Sequence, residues 1–93
     1  DRYLKKIVKN IVKKKKKDIL INLKKFKELD NEIKIAVIND SIKKLIKNYY
    51  NSRAKKVSNL INKIERRNFK KSTLGGCIFI IKKGNLCLKI EKP

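Results

Sequence analysis

The sequence predicts an α+β fold, mostly helical, with a β-hairpin at its C-terminal end. Three observations carry this reading. Apolar residues recur at helical spacing in three stretches, a short β-branched segment interrupts the first half, and from Cys77 the apolar period shortens to two. The predicted elements are helices at residues 2–15, 31–49 and 53–67, a strand at 18–22 and a hairpin at 76–91.

In the first helix Leu4, Ile7, Val8, Ile11 and Val12 follow the i, i+3, i+4, i+7 pattern of one buried face. The run Lys13–Lys17 ends that pattern and reads as a solvated helix end, because cations suit a helix C-terminus although five in a row repel each other. Asp18–Asn22 is short and β-branched, which favours a strand. Leu23, Phe26 and Leu29 then give an apolar face to a brief helical turn. Asp30 or Asn31 can cap the next helix, with Glu32 in its first turn. Ile35, Ile38, Ile42, Leu45, Ile46 and Tyr49 form its stripe. Asn51 and Ser52 interrupt and recap the chain, and Ala54, Val57, Leu60, Ile61 and Ile64 face one side of the helix that follows. A short connection makes these two helices an antiparallel pair.

From Cys77 the architecture changes. Cys77, Phe79 and Ile81 point one way and Ile78 and Ile80 the other, while Leu86, Leu88 and Ile90 alternate with Cys87, Lys89 and Glu91. A two-residue loop at Lys83-Gly84 pairs Ile81 with Leu86, Phe79 with Leu88 and Cys77 with Ile90. A loop at Gly84-Asn85 also keeps apolar residues opposite apolar ones, pairing Ile81 with Leu88. A three-residue loop would mix the faces, which a half-buried sheet resists. Either favoured register keeps Cys77 from facing Cys87, so a hairpin disulfide is not expected.

Composition narrows the function. Lys and Arg total 28 against 8 Asp and Glu, a net charge of +20 on 93 residues, which favours polyanionic partners. An AT-rich genome would also enrich Lys, Ile and Asn, and this bias explains the number of lysines better than their placement. No apolar run approaches the roughly 18–20 residues of a membrane span, and no secretory leader is visible. Two cysteines, no histidine and no secretory signal imply a cytoplasmic protein with free thiols. Without histidine the chain lacks the usual general base and the commonest metal ligand. Two cysteines with that spacing match no zinc motif, so neither a metal site nor a catalytic residue is expected. Gly75-Gly76 leads into a strand rather than a helix and lacks a phosphate-loop context, which makes it a tight turn or bulge.

The basic residues are unevenly placed. Between Tyr49 and Ile90 there are eleven Lys or Arg and one acid, Glu65. Arg53, Lys55, Lys56, Lys63, Arg66, Arg67, Lys70 and Lys71 surround the second long helix and its exit, and form the candidate RNA-binding set. Three of the four arginines fall in this half, and Arg offers bidentate phosphate contacts that Lys cannot. Tyr49, Tyr50 and Phe69 flank the set as candidates for base stacking, although Tyr49 and Phe69 are better placed to complete the core.

The stretch from Glu32 to Lys92 resembles the segment that follows the catalytic domain in bacterial tRNA(Ile)-lysidine synthetases. The resemblance covers about two thirds of the chain. It rests on the helix Ile35 to Ile46, a helix start at Ser52-Arg53, the apolar pair Leu60-Ile61, and above all Thr73-Leu74-Gly75-Gly76-Cys77. That family uses ATP to adenylate C2 of the wobble cytidine in a CAU-anticodon tRNA, then joins lysine there and releases AMP. The resemblance implies a tRNA-holding segment whose parent enzyme carries ATP and Mg on an N-terminal PP-loop domain. The SGGxDS loop of that domain is absent from this sequence, so the 93-residue chain alone is expected to be inactive and to need no cofactor. Ser52 stands where the family commonly has proline. The chain has no methionine, and residues 1–93 read as one small domain excised from a longer protein. Its expected partners are tRNA and the catalytic domain of the same polypeptide, with no membrane. The alternative reading is a stand-alone basic RNA- or ribosome-binding protein.

Overall fold

The computed structural model describes residues 2–15, 17–51 and 53–91 and has the α+β architecture expected, with four helices and a five-stranded antiparallel sheet. In chain order the elements are α1 (Arg2–Ile11), β1 (Val12–Lys14), β2 (Asp18–Asn22), α2 (Leu23–Lys27), α3 (Asn31–Leu45), α4 (Ala54–Ile64), β3 (Lys71–Leu74), β4 (Cys77–Lys82) and β5 (Asn85–Ile90). The strand order is β1-β2-β5-β4-β3, so the short strands β1 and β3 form the two edges.

Register decides which residues share a face. Ile21 pairs with Leu86 and Leu86 with Ile81, while Ile19 pairs with Leu88 and Leu88 with Phe79. This inner face, with Cys77, is closed to solvent along its centre and packs on the helices. The helices contribute Val8 and Ile11 of α1, Phe26 of α2, Val37, Ile38 and Ile42 of α3, and Val57, Leu60, Ile61 and Ile64 of α4. The middle helix, α3, packs against both α1 and α4 and against the sheet. It therefore buries Val37 and Ser41 beside Ile38 and Ile42, a wider face than the single stripe expected from the sequence. Lys34 near the start of α3 meets Glu65 at the end of α4 at 2.7 Å, which fixes the two helices as antiparallel.

Four details depart from the expected boundaries. The first helix stops at Ile11 rather than continuing to residue 15, and Val12, Lys13 and Lys14 instead pair with Ile21, Leu20 and Ile19. A strand sends successive lysines to opposite sides, which relieves the crowding a helix would impose on them. The turn of this hairpin closes with the Lys15 amide donating to the Asp18 carbonyl at 2.8 Å. The second departure is β3, which the sequence pattern did not announce because Lys71–Leu74 is mostly polar. The predicted two-stranded ribbon is therefore part of a larger sheet.

Third, α3 ends at Leu45 and not at residue 49, because Ile46 turns extended. That break returns the Tyr49 ring to the glycine pair, with its hydroxyl donating to Asn39 Oδ1. Fourth, α4 ends at Ile64 and not at residue 67, and its N-cap is Arg53, without a side-chain cap bond. Ser52, expected to recap the chain, lies outside the described residues.

The β3–β4 and β4–β5 turns follow from left-handed backbone. Gly75 and Gly76 have φ of 61° and 84°, and Leu74 pairs with Cys77 across them. Lys83 and Gly84 have φ of 51° and 79°, and Lys82 pairs with Asn85. Two consecutive positive φ angles mark the two-residue turn whose twist suits antiparallel strands. The β4–β5 register is the first of the two expected, with Cys77 opposite Ile90 and Cys87 opposite Ile80. Cys77 thus lies on the inner face and Cys87 on the outer, and both thiols are free.

Candidate nucleic-acid interface

α4 carries its apolar residues on one side because Val57, Leu60, Ile61 and Ile64 follow the 3.6-residue repeat. The same repeat forces Lys55, Lys56 and Lys63 outward, and all three are exposed. Arg53 stands at the N-cap, Lys55 and Lys56 in the first turn, and Lys63 in the last. Arg66 and Arg67 follow in the turn that leaves the helix, Lys70 lies in the connection, and Lys71 opens edge strand β3. An eleven-residue helix is about 16 Å long, so the fold places the eight cations along one helix and its exit. Every one of them is exposed.

The electrostatics of this row are one-sided. Glu65, the acid nearest to it in the chain, pairs through Oε1 with Lys34 from α3 and not with Arg66 or Arg67. The other ion pair joins Lys44 to Asp40 at 3.3 Å within α3. Among the described residues, none of the eight cations is in an ion pair. Three of them, Arg53, Lys55 and Lys56, sit at the N-terminal end of α4, where the helix dipole is already positive and no acid occupies the first turn. Helix stability alone would favour acids at these positions. An anion lying across this end would meet side-chain charge and dipole of the same sign.

The flanking aromatics divide as expected. Tyr49 and Phe69 pack against the core, whereas Tyr50 is 89% exposed just ahead of Arg53. Of the three flanking aromatics, Tyr50 is the one among the described residues with an open ring, three positions ahead of Arg53. The cysteines give no sign of reactivity. Burial pushes the Cys77 thiol up to about 11 from its ordinary 9.0. Burial also raises Cys87, helped by Asp18 and opposed by Lys89, Lys82 and Lys15. A thiol held protonated is a poor nucleophile and a poor metal ligand.

A second basic group lies at the other end of the helical layer. Lys5 and Lys9 of α1, Lys14 of β1 and Lys44 of α3 surround a cleft of about 510 Å³. The signal was present in the sequence as the i, i+4 lysine pair on α1. Only the turn of the chain into β1 brings Lys14 to the same place.

Among the described residues no helix is long and apolar enough to cross a membrane, and no cluster of three or more potential metal ligands occurs. Compared with family models, curated proteins and solved structures, the chain shows no significant match to any of them.

Proposed function

We propose that this chain is an RNA-binding, substrate-positioning segment of a tRNA(Ile)-lysidine synthetase. In that role it holds the tRNA while a PP-loop domain of the same polypeptide uses ATP to adenylate and lysinylate the wobble cytidine in the cytoplasm. The observation that carries RNA binding is the row of eight exposed cations from Arg53 to Lys71, unpaired among the described residues, with Tyr50 exposed just ahead of it in the chain. Such a row neutralises phosphates and releases counterions, which makes binding tight at low salt and steeply salt-dependent. The ligase assignment rests on the resemblance of residues 32–92. In that reading the Thr73–Cys77 stretch is scaffold, since its glycines form a turn that docks on Tyr49.

The test is the affinity of the chain for tRNA across salt concentrations. Replacing Arg53, Arg66 and Arg67 together with alanine should weaken binding and flatten the log–log salt slope by about 2–3. An unchanged slope would place the phosphate contacts elsewhere, with Lys13–Lys17 the next surface to test. Absence of RNA binding at about 150 mM salt, where several simultaneous phosphate contacts are needed, would defeat the proposal. The ligase assignment is tested separately, by whether the coding frame upstream of Asp1 encodes an SGGxDS loop. If it does not, a stand-alone RNA- or ribosome-binding protein becomes the better reading.

A further inference from the structure

The cleft between α1, β1 and α3 combines two properties that the α4 row does not. Its floor is apolar, made by Leu4, Val8 and Val12, and its rim is cationic, made by Lys5, Lys9, Lys14 and Lys44. Asp40 is the only acid in the lining, and it is paired with Lys44 at 3.3 Å. Lys5, Lys9 and Lys14 face the same opening, and none of the three is in an ion pair among the described residues. Lys5 and Lys9 are also an i, i+4 like-charge pair, an arrangement that destabilises an isolated helix. An anion in the opening would relieve that repulsion. At about 510 Å³ the cleft falls within the roughly 300–1,000 Å³ range of small-ligand sites.

An occupant must present negative charge at the rim and a flat apolar face to the floor. Paired bases in an RNA helix are stacked and cannot offer that face, whereas an unpaired nucleotide offers both a base and its phosphates. We infer that the cleft receives an unpaired nucleotide of the same RNA whose phosphates lie on the α4 row, the base resting on Leu4, Val8 and Val12. This inference rests on the RNA-binding reading above. It adds a preference for RNA with an unpaired segment over fully paired RNA.

The experiment uses two fluorescent RNA hairpins of equal stem length, one blunt and one with a five-nucleotide single-stranded extension, titrated at about 150 mM salt. The wild type should bind the extended hairpin at least about 10-fold more tightly than the blunt one. Leu4→Gln changes no charge and should lower that preference several-fold. Lys5→Gln, Lys9→Gln and Lys14→Gln together should bring it close to one, with folding of each variant checked by far-UV circular dichroism and melting. The Arg53, Arg66 and Arg67 alanine variant should weaken both RNAs and keep the preference. Equal binding of both hairpins by the wild type, or a preference that survives both cleft variants, would overturn the inference and leave the α4 reading standing. Binding to neither RNA would remove both. Should the cleft variants lose binding to vesicles of phosphatidylserine and phosphatidylcholine while keeping the RNA preference, the cleft belongs to a membrane surface and the inference fails.

Discussion

Substitution of Gly75 by alanine separates the backbone demand of a turn from the packing demand of its surroundings. Gly75 and Gly84 occupy the same left-handed region, at φ 61° and 79°. Alanine in that region costs about 1–2 kcal/mol, offset by about 0.4–1 kcal/mol from the reduced freedom of the unfolded chain. At Gly84 a new methyl meets nothing within 4 Å, so Gly84→Ala should cost only about 0.5–1 kcal/mol. At Gly75 the same methyl would lie 2.5 Å from Tyr49 Cε1 and 3.2 Å from Ile42 Cγ2. Carbon atoms prefer about 3.5–4.0 Å, so one neighbour must move by roughly 1 Å. The tyrosine ring cannot swing freely, because its hydroxyl donates to the buried Asn39 side chain. Overpacking of this kind adds about 1–3 kcal/mol, for a total near 2–4 kcal/mol.

Urea unfolding of both variants, with melting followed by circular dichroism, measures the contrast. At about 4–8 °C per kcal/mol for a domain of this size, Gly75→Ala should lower Tm by at least about 10 °C and Gly84→Ala by a few degrees. In a Tyr49→Leu background the added cost of Gly75→Ala should fall to the Gly84 level. The coupling between the two sites would then be about 1–3 kcal/mol. Equal losses at the two glycines, or an undiminished loss without the ring, would refute the packing explanation.

Three further outcomes follow from the interior. Lys34 bonds Glu65 while its ammonium lies 5.9 Å from the Phe26 ring centre, so it links α2, α3 and α4. Glu65→Gln should cost about 1 kcal/mol in denaturant titrations, more than an exposed ion pair gives, and an unchanged midpoint would show the pair to be inconsequential. Ser41 Oγ is buried with no hydrogen-bond partner among the described residues, so Ser41→Ala should stabilise the fold by about 1 kcal/mol; a loss of stability would reveal a bond to that hydroxyl. Cys77, raised to about 11, stays protonated in the folded chain when an unfolded thiol near 9 ionises. Its contribution is therefore complete below pH 9 and declines as pH rises from 9 towards 11. Native Cys77 should resist a thiol-reactive dye at pH 8 and react on unfolding, and the stability gap between wild type and Cys77→Ala should narrow over that alkaline range.

Much of the fold was legible because local and global preferences agree. The α1, α4 and β4–β5 patterns each bury one face, and the face they bury is the one their period names. The misses arise where tertiary demands prevail over local pattern. Val12 is a valid helical position by spacing, yet its pairing with Ile21 extends the sheet and ends the helix one residue earlier. Lys71–Leu74 has too few apolar residues to declare itself, because an edge strand buries only part of one side. α3 packs on two helices and a sheet, so a one-stripe reading missed Val37 and Ser41. For Lys55, Lys56 and Lys63 of the α4 row, placement could be read from periodicity, since side chains opposite Val57, Leu60 and Ile64 must be outward, whereas Arg53, Arg66, Arg67, Lys70 and Lys71 lie outside the helix. The α1 cleft could not, because Lys14 reaches it only through a change from helix to strand.

The two edges of the sheet carry lysine, at Lys13 and Lys14 on β1 and at Lys71 on β3. An open edge offers unpaired amides and carbonyls to any neighbouring strand, and like charge keeps two such edges apart. The charge that guards the edges belongs to the same surplus that attracts a polyanion. In the proposed RNA-binding role, solubility and occupancy are therefore coupled. A chain saturated with RNA phosphate loses part of the repulsion that holds copies apart, so turbidity in a titration should peak near charge equivalence and clear again when either component is in excess.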